Sequence, residues 1–291
     1  MYIKFKNKTI YNSLTFSRIS YSKTTFILLL FVVCSLKINA QNSEVTLPKE
    51  SVFQDPVTKY WINTYGNIRI SKKLFWVAQT HFRFQEDEST PFVGQIAQVY
   101  NRHALGYIYT KKINFALGGV LRLNFDTKDQ SKTKTTIPEY RIWHQYQFAM
   151  PVGIAISYHR FRIEHRWSKS FKENSEYIFR NRWRYMFRLK IPVNKPKIQS
   201  GAFYVAPEAE LILQSGKKVI DSPLEDLRLH TSFGYIFSPK LTVAAGIMYN
   251  QGQELNNGGL WKQGWTFRTH LYFSPDFRNT KNKLPEVHFR D

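Results

Sequence analysis

The segment EDLRLHTSFGYIF, residues 225–237, alternates between two kinds of side chain. From residue 227 onward the odd positions carry bulky and mostly apolar groups, namely Leu227, Leu229, Thr231, Phe233, Tyr235 and Phe237. The even positions between them carry Asp226, Arg228, His230, Ser232 and Gly234. A period of two residues indicates a β-strand whose two faces meet different surroundings. Charged groups on one face and large apolar groups on the other are typical of a strand between lipid and a wet lumen.

Two further segments, residues 113–125 and 263–273, repeat this alternation with their apolar side chains at odd positions. A Lys or Arg that faced lipid would cost about 2–4 kcal/mol at the middle of a bilayer, so the orientation of each strand is constrained. One segment departs from the pattern, because its apolar positions are even at Tyr158 but odd at Ile163. Either a β-bulge near His159 or an exit of the strand from the membrane would explain this change.

Eleven segments of this kind follow one another, and the connections between them alternate in length. The predicted strands are residues 59–70, 74–85, 96–109, 113–125, 137–149, 154–167, 176–190, 199–213, 225–237, 241–250 and 263–273. Short turns are predicted at 71–73, 110–112, 150–153, 192–196 and 238–240, and longer polar loops at 86–95, 126–136, 168–175, 214–224 and 251–262. In bacterial outer-membrane barrels the short turns face the periplasm and the long loops face outward.

The sequence therefore predicts an all-β fold, a transmembrane antiparallel up-and-down β-barrel of about twelve strands, with a range of ten to twelve. Barrels of this class have an even number of strands and both ends in the periplasm, so we expect a weak first strand within residues 41–57. The barrel proper is expected over residues 58–273, and a periplasmic C-terminal tail over 274–291.

The N-terminal segment predicts export. Residues 1–23 are basic and contain no Asp or Glu, and FILLLFVVC at 26–34 is an apolar run that precedes Ala40. This order is that of a cleaved secretory signal peptide, which we place at residues 1–40. The nine apolar residues are too few for a membrane-spanning helix, which needs about 20. Cys34 is the only cysteine and would leave with the signal, so no thiolate metal site is expected in an outer-membrane location.

The composition agrees with an exported barrel and limits the classes of partner that we expect for it. Aromatic residues make up 16% of a chain whose mean hydropathy is −0.41, a combination that strands with one lipid-facing and one polar face produce. The formal net charge is +21, and +15 once residues 1–40 are removed. We expect outer-membrane lipid, lipopolysaccharide phosphates or a small anionic solute as partners. Nucleic acid is not expected, because the sequence contains no RNP, zinc-knuckle or helix-turn-helix pattern.

Two neighbouring segments, RFRIEHRW at 160–167 and YIFRNRWRYMFR at 177–188, interleave arginine with aromatic residues. Strand alternation separates the two kinds of side chain onto opposite faces. The predicted charged lining of the lumen comprises Arg162, Glu164, Arg166, Arg180, Arg182, Arg184, Arg188, Glu208 and Glu210. One interpretation is a lumen filled by interlocked Arg–Glu pairs that fix the register and exclude water. The other is an anion-selective constriction, because rings of arginine line anion and phosphate pores.

The sequence offers no motif for catalysis or metal binding. Neither G-x-S-x-G nor H-E-x-x-H occurs, and the histidines are scattered over different strands. We therefore predict no catalytic residues, no metal and no cofactor, and we favour a structural barrel or a narrow, anion-preferring channel. Two alternatives stay open: a lipid-modifying barrel enzyme with an outward-facing histidine as base, and a surface binding module that uses its long loops.

Aromatic residues near the strand ends predict contacts with the membrane interface. Tyr60 and Trp61 open the first hairpin, and Tyr107 and Tyr109 close a later strand, as expected of interfacial girdles. The strand that ends at Phe273 resembles the terminal strand that the barrel-insertion machinery reads, so this machinery is an expected partner. The 18 residues that follow Phe273 depart from that pattern.

These segments together resemble an uncharacterised outer-membrane β-barrel family, domain of unknown function family 2490. The likeness covers residues 45–275 and rests, besides Tyr60 and Trp61, on ISKKL at 70–74, RIEHRW at 162–167, YIFRNRWRY at 177–185 and APEAELIL at 206–213. The resemblance implies a barrel in the outer membrane. It brings no established activity, and therefore no catalytic residues.

Overall fold

The computed structural model describes residues 51–128, 135–217, 219, 223–254 and 257–279. The predicted signal peptide, residues 1–40, lies outside the described residues, as does the end of the predicted C-terminal tail. The described chain forms β1 (Val52–Phe53), β2 (Val57–Arg69), β3 (Leu74–Gln85), β4 (Gln95–Thr110), β5 (Ile113–Phe125), β6 (Thr136–Val152), β7 (Ala155–Ser168), β8 (Ile178–Pro192), β9 (Phe203–Ser215), β10 (Leu224–Ser238), β11 (Leu241–Glu254) and β12 (Asn257–Phe273). Within these ranges, no helix has the length and apolar character needed to cross a membrane.

The strands form one sheet that closes on itself. Each strand from β2 to β12 pairs in antiparallel fashion with its neighbour in the chain. The sheet closes where β12 pairs with β2 in parallel, from Gly264 opposite Val57 to Phe273 opposite Gly66. Closure leaves these strands without an unpaired edge, which is the property that makes a barrel compatible with a water-free surrounding. The predicted β-barrel is confirmed.

The closing seam differs from the antiparallel closure that the sequence predicted. Of the range 41–57, in which a first strand was expected, residues 51–57 are described, and there β1 pairs in parallel with β12, with Val52 opposite Leu260. β1 and β2 both pair with β12, so β1 lies in line with β2 and is not an additional strand around the barrel. Eleven strands therefore close the barrel, and the twelfth is this short extension. An odd number places the start of β2 and the end of β12 at opposite rims.

Side chains alternate between the interior and the outer surface, as the sequence predicted. In β10, Ser232 is 6% exposed and its neighbour Phe233 is 53% exposed. The segment with mixed parity, β7, pairs with β6 and β8 without any shift of register, so no bulge occurs at His159. Instead, Ile156 and Tyr158 point inward and lie in an apolar cluster with Ala149.

This cluster belongs to an apolar layer at the rim where the short turns lie. A second cluster contains Ala202, Tyr204, Ala206, Ile236, Ala244 and Tyr272. Ile198 packs against both clusters. It comes from the connection between β8 and β9, residues 193–202, which is longer than the tight turn that the sequence predicts at 192–196. We refer to the two clusters together with Ile198 as the apolar plug.

The chain after β12 folds along the end of β2. The backbone N–H of Arg69 donates to the carbonyl oxygen of Pro275, and Phe277 N–H donates to the carbonyl of Arg69, both at 3.0 Å. The Arg278 guanidinium donates to both carboxylate oxygens of Asp276, at 2.8 and 2.6 Å, and thereby lowers the pKa of Asp276. The predicted tail thus begins as an extension of the sheet at this rim.

Adjacent glycines in β5 give a direct test of which face is inside. A side chain at Gly118 would overlap the backbone of His103 and Ala104, whereas at Gly119 it would come only within 3.6 Å of the Arg141 carbonyl. We expect Gly118→Leu to lower the free energy of unfolding by about 1–3 kcal/mol, because the close-packed interior must move. Gly119→Leu is the matched control and should change it by less than about 0.5 kcal/mol. Urea unfolding of the purified variants measures both, and equal effects would contradict the assigned faces.

Candidate functional site: the arginine-rich interior

The structure brings nearly all the predicted lumen residues into one enclosed charged region. The residues that it places inside are Arg162, Glu164 and Arg166 on β7, Arg182, Arg184 and Arg188 on β8, and Glu208 and Glu210 on β9. Arg180 differs, because it lies near the start of β8 and donates to the hydroxyl of Ser168 at 3.0 Å.

Glu164 is the centre of this region. Its side chain is fully buried, and its carboxylate lies within 4 Å of five guanidinium groups. The N···O distances are 2.6 Å to Arg141, 2.8 Å to Arg184, 3.1 Å to Arg182, 3.3 Å to Arg102 and 3.8 Å to Arg162. These partners lie on β4, β6, β7 and β8, so a single carboxylate joins strands far apart in the sheet.

Two of these arginines extend the network toward later strands. Arg184 also binds Glu210 at 2.7 Å, and Arg182 also binds Glu225 at 2.7 Å. Glu210 in turn accepts from Arg160 at 2.8 Å and from Arg228 at 3.3 Å. Charge-assisted bonds to a carboxylate are stronger than neutral ones, and the planar guanidinium can serve two carboxylates at once. The interior is therefore cross-linked by ion pairs from β4 to β10.

Two further carboxylates, Glu139 and Glu208, also belong to the network. Glu139 binds Arg141 at 2.5 Å and also pairs with Arg122. Glu208 binds Arg188 at 2.5 Å, while Arg268 of β12 lies 3.8 Å away. The last contact links β9 with the strand that forms the seam.

Sequence reasoning missed much of this network as site residues. The charged members beyond the predicted ladder are Arg83, Arg102, Arg122, Glu139, Arg141, Arg160, Glu225, Asp226, Arg228 and Arg268. Parity was an available signal, because Arg228 and Arg268 occupy the polar faces of segments whose alternation is clear. Each of these two is the only arginine on the polar face of its strand, whereas the polar faces of β7 and β8 carry runs of arginine.

Aromatic rings fill the space between the charges. Trp61, which the sequence analysis assigned to an interfacial girdle, is instead inside and 7% exposed. The Arg83 guanidinium carbon lies 3.7 Å from the centroid of the Trp61 ring and 4.2 Å from that of Tyr100. A cation over the face of an aromatic ring is stabilised by the ring quadrupole, most strongly where water is excluded. Tyr60, the neighbour of Trp61, faces outward, as the alternation requires.

Histidines lie on both the inner and the outer face of the barrel, and their positions are relevant to the alternative hypothesis of a lipid-modifying enzyme. On the outer face, His165 Nδ1 lies 2.7 Å from Asn181 Oδ1, a contact that fixes the imidazole ring. Asn181 is the cross-strand partner of His165 on one side and of Ser215 on the other. The Ser215 hydroxyl accepts a hydrogen bond from Trp183 Nε1 at 3.2 Å. The Asn181 side chain therefore lies between the imidazole of His165 and the hydroxyl of Ser215, so His165 is not adjacent to this nucleophile.

Inside the barrel, His230 and His270 lie with ring centroids 5.4 Å apart, and Tyr65 lies between His270 and His81. In the part of the chain that the structure describes, no group of three or more His, Cys, Asp or Glu side chains is arranged to hold a metal ion.

One family model matches the chain over residues 58–260, and its description reads "Protein of unknown function (DUF2490)". The matched range begins within β2 and ends within β12, so it contains most of the charged network. No curated protein and no solved structure matches the chain.

The network predicts a large effect of a small substitution at its centre. Glu164→Gln keeps the size of the side chain but removes the charge shared by five buried arginines. We expect it to lower the free energy of unfolding by about 3–5 kcal/mol, because the arginines remain buried without their counter-charge. The matched control is Glu254→Gln, whose pairing with Lys262 at 2.8 Å is partly exposed. It should cost less than about 1 kcal/mol in the same urea titration. Similar losses for the two variants would contradict a central role for Glu164.

Proposed function

The chain belongs to this family of proteins of unknown function, and we propose that it is a non-enzymatic outer-membrane β-barrel whose filled interior does not conduct in the resting state. The single observation that carries the proposal is the coexistence of an exposed apolar outer face with a lumen filled by buried ion pairs. The location rests on the sequence and on this distribution of side chains.

The outer face supports a membrane environment. Large apolar side chains point outward on almost every strand, including Leu105, Leu117, Ile142, Phe161, Leu229, Phe233, Ile247 and Leu271, which are 40–62% exposed. Soluble monomers rarely expose contiguous apolar patches larger than a few hundred Å². The charged groups of the same strands point the opposite way, which is the arrangement that lipid favours.

The interior supports an occluded barrel rather than an open pore. Glu164 and Arg141 are fully buried in mid-barrel, and their ion pair occupies space that a permeating ion would need. The apolar plug occupies the rim with the short turns, where Ala202 and Tyr204 are at most 1% exposed. A hydrophobic constriction opposes the passage of hydrated ions. Of the two interpretations of the lumen, the structure of the interior therefore favours the filled one over the anion-selective constriction.

The membrane proposal makes a prediction for the outer face. Leu117 near the middle of β5 and Val193, the first residue after β8, are both 62% exposed. For Leu117→Arg we expect a loss of about 2–4 kcal/mol in stability when the protein is folded into lipid vesicles, because the charge would enter hydrocarbon. Val193→Arg lies at the rim and should cost about 0–1 kcal/mol. Tolerance of both substitutions, as on a water-exposed surface, would reject the membrane location.

The occlusion proposal is tested by electrical recording in planar bilayers. We expect the wild-type protein to give no steady current. Replacing residues 195–200 by Asn-Gly removes Ile198 from the plug, and Arg141→Ala with Glu164→Ala removes the ion pair in mid-barrel. The combined variant should produce measurable current with a preference for anions, because the other arginines remain inside. As a control, shortening the loop at residues 170–175, which lies at the opposite rim, should leave the protein silent. Steady current through the wild-type protein would favour the open channel instead.

A further inference from the structure

The interior carries more positive charge than its own carboxylates balance. A cavity of about 50 Å³ inside the barrel is lined by ten arginines, Arg83, Arg102, Arg141, Arg160, Arg162, Arg182, Arg184, Arg188, Arg228 and Arg268. Within the described residues, the carboxylates that these ten contact are Glu139, Glu164, Glu208, Glu210, Glu225 and Asp226. Arginine does not lose its proton in proteins, so these ten positive charges outnumber the six carboxylates by four.

A surplus of this kind is costly where water is scarce. Removing an ion from water costs several kcal/mol even after the protein relaxes, and only an opposite charge nearby offsets it. Arg268 illustrates the deficit, because its polar contacts are long: 3.8 Å to Glu208, 3.4 Å to the Tyr65 hydroxyl and 3.7 Å to the sulfur of Met248. Arg83 hydrogen-bonds to Gln98 and Tyr100 rather than to an acid.

Several buried donors around the cavity also have no partner. The Nε atoms of Arg83, Arg102 and Arg268 are buried donors without a hydrogen bond, and so is Nδ1 of His81 in the tautomer that carries its proton there. His81 is 4% and Arg102 6% exposed. Buried donors are paired in almost all folded proteins, so a group of unpaired ones around a single cavity points to a bound acceptor.

The guanidinium groups converge in space. Arg102 and Arg162 both lie over the ring of Trp143, at 5.4 and 4.8 Å from its centroid. Both of them, together with Arg268, act electrostatically on His81. Three strands far apart in sequence thus direct cationic donors toward one cavity.

We propose that this cavity binds one small oxyanion of the phosphate or sulfate class, held chiefly by Arg102, Arg162 and Arg268. A tetrahedral oxyanion accepts several bonds at once and matches the planar fork of arginine better than a single-atom halide does. The cavity volume of about 50 Å³ exceeds several times the roughly 10–15 Å³ that one water requires, so a small polyatomic anion has room. The anion completes the charge balance of the interior, and this assignment holds whatever surrounds the barrel.

Calorimetric titration of the purified full-length protein in neutral detergent tests the proposal. The probe is inorganic phosphate, with ionic strength held constant by gluconate, which is too large for the cavity. We expect saturable binding of one phosphate per chain and a rise of the thermal unfolding midpoint with phosphate concentration, because the ligand binds only the folded state. Sulfate should compete, and chloride should do so only weakly.

Variants separate the cavity from general electrostatics. Arg268→Gln should weaken phosphate binding by at least about tenfold, whereas Arg268→Lys, which keeps the charge, should weaken it less. Arg180→Gln is the matched control, since Arg180 belongs to the same arginine-rich strand, β8, but does not line the cavity, and it should change affinity less than about twofold. Absence of saturable heat and of any phosphate-dependent shift in the wild-type protein would overturn the proposal. Equal weakening by Arg180→Gln and Arg268→Gln would overturn it as well.

Because the titration uses detergent, a negative result leaves the membrane test at Leu117 unaffected. The two proposals therefore fail independently of each other.

Discussion

The structure depends on one constraint, which is that every second residue of a closed sheet points into an enclosed space. Whatever charge the sequence places at those positions must be balanced within that space, because little water reaches it. The fully buried carboxylate of Glu164, shared among five guanidinium groups, is the central solution to this requirement. Strand register, barrel closure and the orientation of neighbouring aromatic rings are all consistent with that cluster.

The choice of arginine over lysine follows from the same constraint. Arg184 reaches Glu164 and Glu210 through different nitrogens, a geometry that a lysine ammonium on its flexible stem fixes less well. Lys190 sits where the network meets the apolar plug, with its ammonium 4.8 Å from the ring centroid of Tyr204 and 5.4 Å from that of Tyr158. The tyrosine faces thus stabilise a cation at the boundary, and the charged and apolar layers form one continuous packed interior.

The sequence predicted the barrel because alternation is a local property, visible in a single segment such as residues 225–237. It also predicted the inward face of β7 and β8. The partners across the lumen were beyond its reach, because parity reveals the face of a residue but not its depth. Arg102 and Glu164 are 62 positions apart, and their contact depends on the register of every strand between them. Trp61 was assigned to the wrong face because it was grouped with Tyr60, although adjacent strand residues point to opposite sides.

The parallel pairing at the seam could not be predicted from local sequence, for a related reason. Which two strands close a barrel depends on strand number and stagger together, and no segment carries that information alone. At the seam, the ring of Phe273 lies over Gly66 of β2, where any larger residue would collide with it. A glycine opposite the last aromatic residue of the final strand therefore lets the two parallel edges approach. The seam is thus specified by side-chain packing across the closure, and the short β1 strand extends it by two residues. In this eleven-stranded barrel the even-numbered residues of β12 still point inward. Arg268 and His270 therefore lie in the charged interior, beside residues from the opposite end of the chain.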